Sequence, residues 1–170
     1  MKVYLFEHHS TPYPVVGYGG GERVNSLLFN TLTNLGFDVT LIIHDKTVFT
    51  QGCKVIQLPY SEIENLWSGS VPLSNYVSKD CDIFHSHTAG KNSNFNFSGL
   101  KCKWSSTCHG EYEEVLSPYQ IYLTYNHLAF HIQKYGVDKI ANGLFVCNNG
   151  VDTDSLFPVN GHHDRVIWLS

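Results

Sequence analysis

The chain has 170 residues, of which 42% are hydrophobic and 15% charged, so it has the length and composition of one soluble globular domain with a full-sized core. Its net charge of -4 and its 11 scattered lysines and arginines argue against a nucleic-acid partner, which selects a concentrated basic surface. No apolar stretch approaches the roughly 20 residues of a membrane span and the N-terminus lacks a signal-peptide core, so we expect a cytoplasmic protein without a transmembrane segment, compatible with peripheral contact at a membrane.

Apolar runs alternate with helical patterns along the chain, which predicts an α/β fold: a Rossmann-like parallel sheet with helices on both faces. The first helix is predicted to begin near Gly20 and to end at Gly36, a residue type that closes helices. Each predicted strand is a short apolar run between turn signals. In chain order these strands are Val3–Phe6, Val39–Ile43, Lys54–Leu58, Asp82–His87, Lys103–Cys108, Tyr119–Thr124 and Leu144–Cys147.

Capping signals place two later helices. Ser61 and Glu64 have the spacing of a capping box, and the helix that they open is followed, after a break at residues 69–72, by a second helical piece that runs to Ser78. Asn126 is predicted to cap a helix that ends at Gly136.

The segment between the fourth and fifth strands, residues 88–99, is rich in Asn, Ser and Gly. This composition is typical of a loop, and strand patterns resume directly after it. We therefore expect it to form a loop over the ligand face of the sheet.

A glycine-rich segment, Gly17–Arg23, lies between the first strand and the first helix. Unpaired N–H groups and the positive helix end converge at such a turn, which predicts a site for a phosphorylated ligand; the alternative is that the glycines only let the chain turn sharply. No glycine occupies the sixth place counted from Gly17, so this is not the G-x-G-x-x-G fingerprint. A nicotinamide enzyme is therefore the weaker interpretation.

Histidines follow two more strands at the same predicted edge of the sheet. His85 and His87 stand at i, i+2 and should point to one face, as metal ligands or, more ordinarily, as hydrogen-bonded strand-end histidines. His109 beside Gly110 suits contact with a sugar hydroxyl, proton transfer or a structural role. We predict no metal site, because no third ligand has a clear spacing.

The five cysteines are an odd number without C-x-x-C spacing, so they predict neither a disulfide framework nor a zinc knuckle. We expect reduced thiols packed in strands. They are Cys53, Cys81, Cys102, Cys108 and Cys147.

Four motifs span almost the whole chain in order: Gly19-Gly20-Gly21-Glu22-Arg23-Val24, Asp82-Ile83-Phe84-His85-Ser86-His87, Thr107-Cys108-His109-Gly110 and, at residues 149–158, Asn-Gly-Val-Asp-Thr-Asp-Ser-Leu-Phe-Pro. They resemble the signatures of glycosyltransferase family 4. The family resembled has two facing Rossmann-like domains, the GT-B arrangement. It transfers a sugar from a nucleotide-sugar to an acceptor with retention of anomeric configuration and without an essential metal.

The resemblance implies roles for individual residues. His109 would contact the transferred sugar near the reaction centre, as the catalytic residue. The donor diphosphate loop would be formed by Gly19, Gly20, Gly21, Glu22 and Arg23. The other substrate-binding residues would be His87, Gly110 and Asn149. The nucleotide-sugar is a donor substrate, so no cofactor is implied, and the acceptor would be a sugar or a glycolipid.

The resemblance also divides the chain. Residues 1–158 resemble the acceptor-side domain, and residues 159–170 would be the interdomain segment and the start of the second domain. In the family, that second domain supplies an Arg/Lys pair for the diphosphate and an E-x7-E segment for the donor. We therefore expect poor catalysis by the chain alone and completion by a C-terminal domain or a partner chain.

Two further classes of protein stay open. One is a non-catalytic module that binds a carbohydrate or a phosphorylated ligand, although the apolar run at residues 166–169 favours a missing continuation or partner. The other is a Rossmann-type oxidoreductase or epimerase, which the chain fits poorly because it lacks the dinucleotide fingerprint.

Overall fold

The computed structural model of the chain describes residues 1–8, 20–45, 54–87, 93–109, 117–136 and 143–148. Seven strands and three α-helices lie within these ranges. The strands are β1 (Lys2–Phe6), β2 (Asp38–His44), β3 (Lys54–Leu58), β4 (Ile83–Ser86), β5 (Lys103–Cys108), β6 (Tyr119–Tyr122) and β7 (Gly143–Val146). The helices are α1 (Gly20–Asn34), α2 (Tyr60–Ser68) and α3 (Tyr125–Tyr135).

The seven strands form one sheet in the order β3-β2-β1-β4-β5-β6-β7, and each neighbouring pair is parallel. The chain builds towards one edge from β1 to β3, then returns to the other side of β1 and continues outwards to β7. This order confirms the predicted Rossmann-like fold class. It also creates a switch point between the carboxyl ends of β1 and β4, where open parallel sheets bind their ligands.

The two faces of the sheet pack against different cores, because successive side chains of a strand point to opposite faces. On the α2 face, the Phe95 ring lies edge-on to Phe6 and Phe84, with ring centroids 5.0 Å apart in each pair. We call this cluster the aromatic core; its buried members are Tyr4, Phe6, Ile42, Leu58, Ile63, Leu66, Leu73, Val77, Cys81, Phe84 and Phe95. The core on the α1 face is smaller and consists of Val3, Leu5, Phe29, Val39, Leu41 and Ile43.

Helix α1 follows its sequence pattern. It begins at Gly20, buries Phe29 against β1 and β2, and ends at Asn34. Gly36 then takes a left-handed conformation with φ of 83°, and its N–H donates to the carbonyl of Thr33. The predicted end of this helix at Gly36 is therefore confirmed.

Both side-chain caps predicted for the later helices are wrong. Pro59 precedes α2 without a side-chain cap, and the Glu64 carboxylate instead contacts His8, 2.5 Å from its Nε2. At α3 the cap is Thr124, whose Oγ1 accepts the N–H of His127 at 3.0 Å. Asn126 lies inside the first turn, because the extended backbone that a cap needs falls two residues earlier.

The chain between α2 and β5 also departs from expectation. The second helical piece is only a short 3₁₀ turn, Leu73–Asn75. The described part of the predicted ligand-face loop, residues 93–99, packs on the opposite side: the Asn94 N–H donates to the Trp67 carbonyl and Phe95 enters the aromatic core. Phenylalanines within a polar segment explain this difference, because their burial outweighs the loop composition.

Four cysteines lie within the described residues, and all four are free thiols. Of these four, only Cys108 lies in a strand, so the predicted packing in strands is wrong for Cys81, Cys102 and Cys147. Burial raises the pKa of the Cys81 thiol to about 12. Cys53 lies outside the described residues. Among the described helices, none is both long enough and apolar enough to cross a membrane.

Candidate functional site

The site lies at the switch point, where β1 and β4 run side by side with Phe6 opposite Ser86. His87 follows β4 directly, and the N-terminus of α1 lies above it: a Cβ atom added to Gly21 would be 3.9 Å from His87 Cδ2. The first strand, the helix start and the fourth strand thus converge as the sequence predicted. The backbone of α1 can approach a ligand closely here because Gly21 has no side chain.

His87 and His109 form a direct imidazole pair. Their Nε2 atoms are 2.8 Å apart and their ring centroids 4.3 Å apart. His87 is 1% exposed, whereas His109 is only partly buried at the end of β5. Such a contact between neutral rings requires one nitrogen to carry a proton and the other a lone pair, so the pair is already arranged to pass or share a proton.

His85 lies on the same face as His87 but has a different role. Its Nδ1 is 3.0 Å from Ser105 Oγ and its Nε2 is 3.3 Å from Thr107 Oγ1, so both ring nitrogens have hydroxyl partners on β5. The ring is buried. Of the two interpretations that the sequence offered for His85, the hydrogen-bonded strand histidine is therefore the one that the structure supports.

The three imidazoles are neutral at pH 7. Burial and the nearby His109 lower the pKa of His85 to about 4. Burial, His85 and His109 together lower the pKa of His87 to about 2. Burial and His127 also lower the pKa of His109 from 6.5, while the Glu22 carboxylate acts in the opposite direction. The site therefore presents neutral hydrogen-bonding groups.

The predicted donor loop is described only from Gly20 onwards. Gly20 and Gly21 form the first turn of α1, with Glu22 partly buried beside His109 and Arg23 exposed. Gly19 lies outside the described residues, as do the predicted substrate residues Gly110 and Asn149. The structure thus brings together the start of α1, His87 and His109.

Sequence reasoning missed a buried polar pair at the end of β1. Glu7 is 1% exposed and Asn25 is fully buried, and the Asn25 Nδ2 donates to Glu7 Oε2 over 3.2 Å. The Glu7 N–H donates to the carbonyl of Ile42 and so keeps this residue in register with β2. The signal was available, because Glu7 directly follows an apolar strand at the edge where ligands bind.

A cavity of about 350 Å³ opens beside the histidine pair, between α1 and the face of β4 to β7. Most of its wall is apolar, and His87 and Asn148 supply polar atoms. Sequence reasoning did not predict it, because it depends on how far α1 extends across the sheet. The lining residues are Val24, Leu27, Leu28, Thr31, His85, His87, Thr107, Ile121, Leu123, Cys147 and Asn148.

Within the described ranges, the histidines, cysteines and carboxylates form no group of three or more that could hold a metal ion. Nitrogen-to-nitrogen contact in the His87–His109 pair also differs from metal ligation, in which both lone pairs would point at a shared ion.

Comparisons with protein-family models and with curated proteins give no match to the chain. Among solved structures, the chain is similar to AviGT4, a glycosyltransferase involved in avilamycin A biosynthesis, with 22% sequence identity and a TM-score of 0.56. The match covers 82% of this chain and 40% of AviGT4, so the chain spans less than half the length of that enzyme. This likeness shows a glycosyltransferase-like fold; membership of family 4 in particular stays a prediction.

Proposed function

We propose that the chain is the acceptor-side domain of a retaining glycosyltransferase, which moves a sugar from a nucleotide-sugar to an acceptor and depends on a second domain for the charged contacts to the donor diphosphate. The observation that carries the proposal is the convergence of the α1 N-terminus with His87 and His109 at the switch point. The glycosyltransferase-like fold and the motifs that resemble those of family 4 support the same proposal.

Each part of this site has a role in the proposed transfer. The N–H groups at the start of α1 would face the donor diphosphate, which gains negative charge as the glycosidic bond breaks. His109, at the mouth of the site, would contact the transferred sugar. His87 is nearly buried behind it and would hold the His109 ring in place through the 2.8 Å contact.

The neutrality of the histidines explains why a second domain would be needed. A departing nucleoside diphosphate requires charge-assisted hydrogen bonds, and neutral imidazoles do not supply them at pH 7. By analogy with loss of an oxyanion donor, each missing cationic contact costs about 2 to 4 kcal/mol of transition-state stabilisation. The chain spans 40% of AviGT4, which leaves room for such contacts in a further domain.

The same neutrality favours one other candidate, a non-catalytic module for a carbohydrate ligand. Neutral imidazoles, hydroxyls and amides suit sugar hydroxyls as well as they suit a reaction centre. The two proposals differ in turnover, which an assay can measure.

The test is to capture the native polypeptide from its source cells through residues 1–170, and to assay the captured material and the isolated chain. Both are incubated with UDP-, GDP- and ADP-sugars and a panel of sugar and glycolipid acceptors. We expect turnover by the captured assembly, retention at the anomeric carbon of the product, and little or no turnover by the isolated chain. An inverted product, or ordinary enzyme rates from the isolated chain, would contradict the proposal; binding without transfer in either sample would identify a module.

A matched pair of variants separates catalysis from folding. In the captured assembly, His109→Gln should lower kcat by roughly 100-fold or more, the scale measured when a transition-state contact is removed. His44→Gln is the control, because His44 is also buried at a strand end, but it lies on β2 and contacts Asp45, the residue that follows this strand. Equal losses in the two variants would argue that His109 has only a structural role.

A further inference from the structure

We propose that the cavity beside the histidine pair binds the apolar part of a hydroxyl-bearing acceptor, an alkyl or aryl group of about a dozen non-hydrogen atoms. This inference rests on the proposed function, and it specifies the acceptor class. It predicts that an acceptor without an apolar group binds this chain much more weakly than one that has it.

The size and the wall of the cavity support this ligand class. At roughly 30 Å³ for each non-hydrogen atom, the packing of a liquid, 350 Å³ holds about twelve atoms. Val24 and Leu27 of α1 form one wall, and Ile121 and Leu123 at the end of β6 form the opposite wall. Ligand pockets of this size typically combine apolar walls with a few polar groups that orient the ligand.

An unpaired nitrogen indicates that the ligand also carries a hydroxyl. Within the part of the chain that the structure describes, His87 Nδ1 is buried and has no hydrogen-bond partner, although the ring lines the cavity. A buried polar atom without a partner is costly, so a bound group that pairs with it is favoured. A hydroxyl can donate to this nitrogen in one tautomer and accept from it in the other.

The position of the cavity makes the acceptor the best occupant. His87 lines the cavity through the same ring whose Nε2 contacts His109. A hydroxyl at His87 therefore lies next to the proposed transfer site, while the apolar group extends between α1 and β6. The nucleotide of the donor is a poor fit for this space, because its phosphates and ribose would lie against apolar walls.

The test titrates the whole chain with 1-butanol, 1-hexanol and 1-octanol and follows the backbone and methyl NMR signals. We expect the affinity to rise about fourfold for each added methylene through 1-octanol, with shifts at Leu27, Ile121 and Leu123. An affinity that does not depend on alkyl length, or shifts confined to other residues, would overturn the inference.

Two leucine variants provide the matched comparison. Leu27→Trp fills the cavity and should weaken 1-octanol binding at least tenfold, whereas Leu35→Trp places the same ring at a residue that is 68% exposed and does not line the cavity. Equal affinities in the two variants would contradict the inference. If the chain instead sediments as a dimer that Leu27→Trp dissociates, and 1-octanol does not bind, the cavity is a contact between copies and the inference is wrong.

The assay of the captured assembly keeps the two proposals apart. Sugar transfer that shows no preference for acceptors with longer alkyl groups would overturn this inference alone. Length-dependent binding of 1-alkanols without any transfer would support the ligand class of the cavity and contradict glycosyl transfer.

Discussion

The two faces of β4 show how one strand serves stability on one side and ligand binding on the other. Phe84 points into the aromatic core, where it contacts Phe95 and Phe97 edge-on with ring centroids 5.0 Å and 5.6 Å away. His85 and His87, which alternate with Phe84 and Ser86 along the chain, line the cavity beside α1. Because successive side chains of a strand point to opposite faces, one face of β4 borders the closed core and the other borders the open site.

Burial alone therefore does not identify a structural residue in this fold. Phe84 and His87 are both essentially inaccessible to solvent. Among the described residues, Phe84 packs within the aromatic core, whereas His87 contacts His109 through Nε2 and has a buried Nδ1 without a hydrogen-bond partner. Substitutions on the Phe84 face should therefore mainly change stability, and substitutions on the His87 face should mainly change ligand binding.

Substitutions in the aromatic core should lower the stability of the chain most. Phe84→Ala should lower the free energy of unfolding by about 3 to 5 kcal/mol, because it removes a fully buried ring and leaves a void among aromatic neighbours. Ile121→Ala on the cavity side should cost clearly less, since that side chain already borders open space. Urea unfolding of both variants measures the difference, and equal losses would show that the cavity face is packed like the core.

The glycines that follow α2 and α1 allow the two faces of the sheet to be compared with the same substitution, glycine to alanine. Gly69 ends α2 with φ of 77°, and an added Cβ would lie 1.9 Å from the Asn94 carbonyl oxygen. Gly36, after α1, has φ of 83° and nothing within 4 Å of an added Cβ. Left-handed backbone costs either alanine about 1 to 2 kcal/mol, and Gly69→Ala should lose about 1 to 3 kcal/mol more from the clash.

Thermal and urea unfolding of Gly69→Ala and Gly36→Ala report these two contributions. A Gly69→Ala protein as stable as Gly36→Ala would mean that the backbone at Asn94 yields without cost. That result would contradict the tight packing described for the α2 face.

The buried histidines predict a smaller effect, which depends on pH. The pKa values of His85 and His87 are lowered to about 4 and about 2, so below pH 6.5 the unfolded chain binds protons that the native chain does not. Their contribution to stability is complete above pH 6.5 and is lost as the pH falls, by about 1.4 kcal/mol per pH unit for each histidine.

Comparison with a variant isolates one histidine. His85→Gln keeps a hydrogen-bonding side chain near Ser105 and Thr107 but cannot titrate. The slope of unfolding free energy against pH, measured between pH 6 and pH 5, should be smaller in the variant than in the unsubstituted chain. Identical slopes would mean that the proton uptake occurs elsewhere.

The sequence predicted the sheet well, because runs such as Leu41, Ile42 and Ile43 are recognisable without tertiary information. It predicted the shared face of His85 and His87 for the same reason. The sequence could not show which of the two histidines has hydroxyl partners, because Ser105 and Thr107 reach His85 only through the register of β4 on β5. The two helix caps predicted from local hydrogen-bond signals were wrong, because the backbone conformation of neighbouring residues determines which residue caps a helix.

The cavity illustrates the limit of sequence reasoning more directly. Leu27 and Leu28 belong to the same helical pattern of leucines. Both line the cavity, but only Leu28 also packs against the core on the α1 face. The difference arises from where α1 ends its contact with β1 and β2. No spacing in the sequence encodes that boundary.

Histidine side-chain NMR shows whether the imidazole pair beneath α1 is the ligand site. UDP-glucose, GDP-mannose and ADP-glucose are titrated to millimolar concentration while the imidazole signals of His87, His109 and His44 are followed. We predict that at least one donor shifts the His87 and His109 signals and leaves His44, on β2, unchanged. Unchanged signals for the pair with all three donors, or equal shifts at His44, would contradict the account.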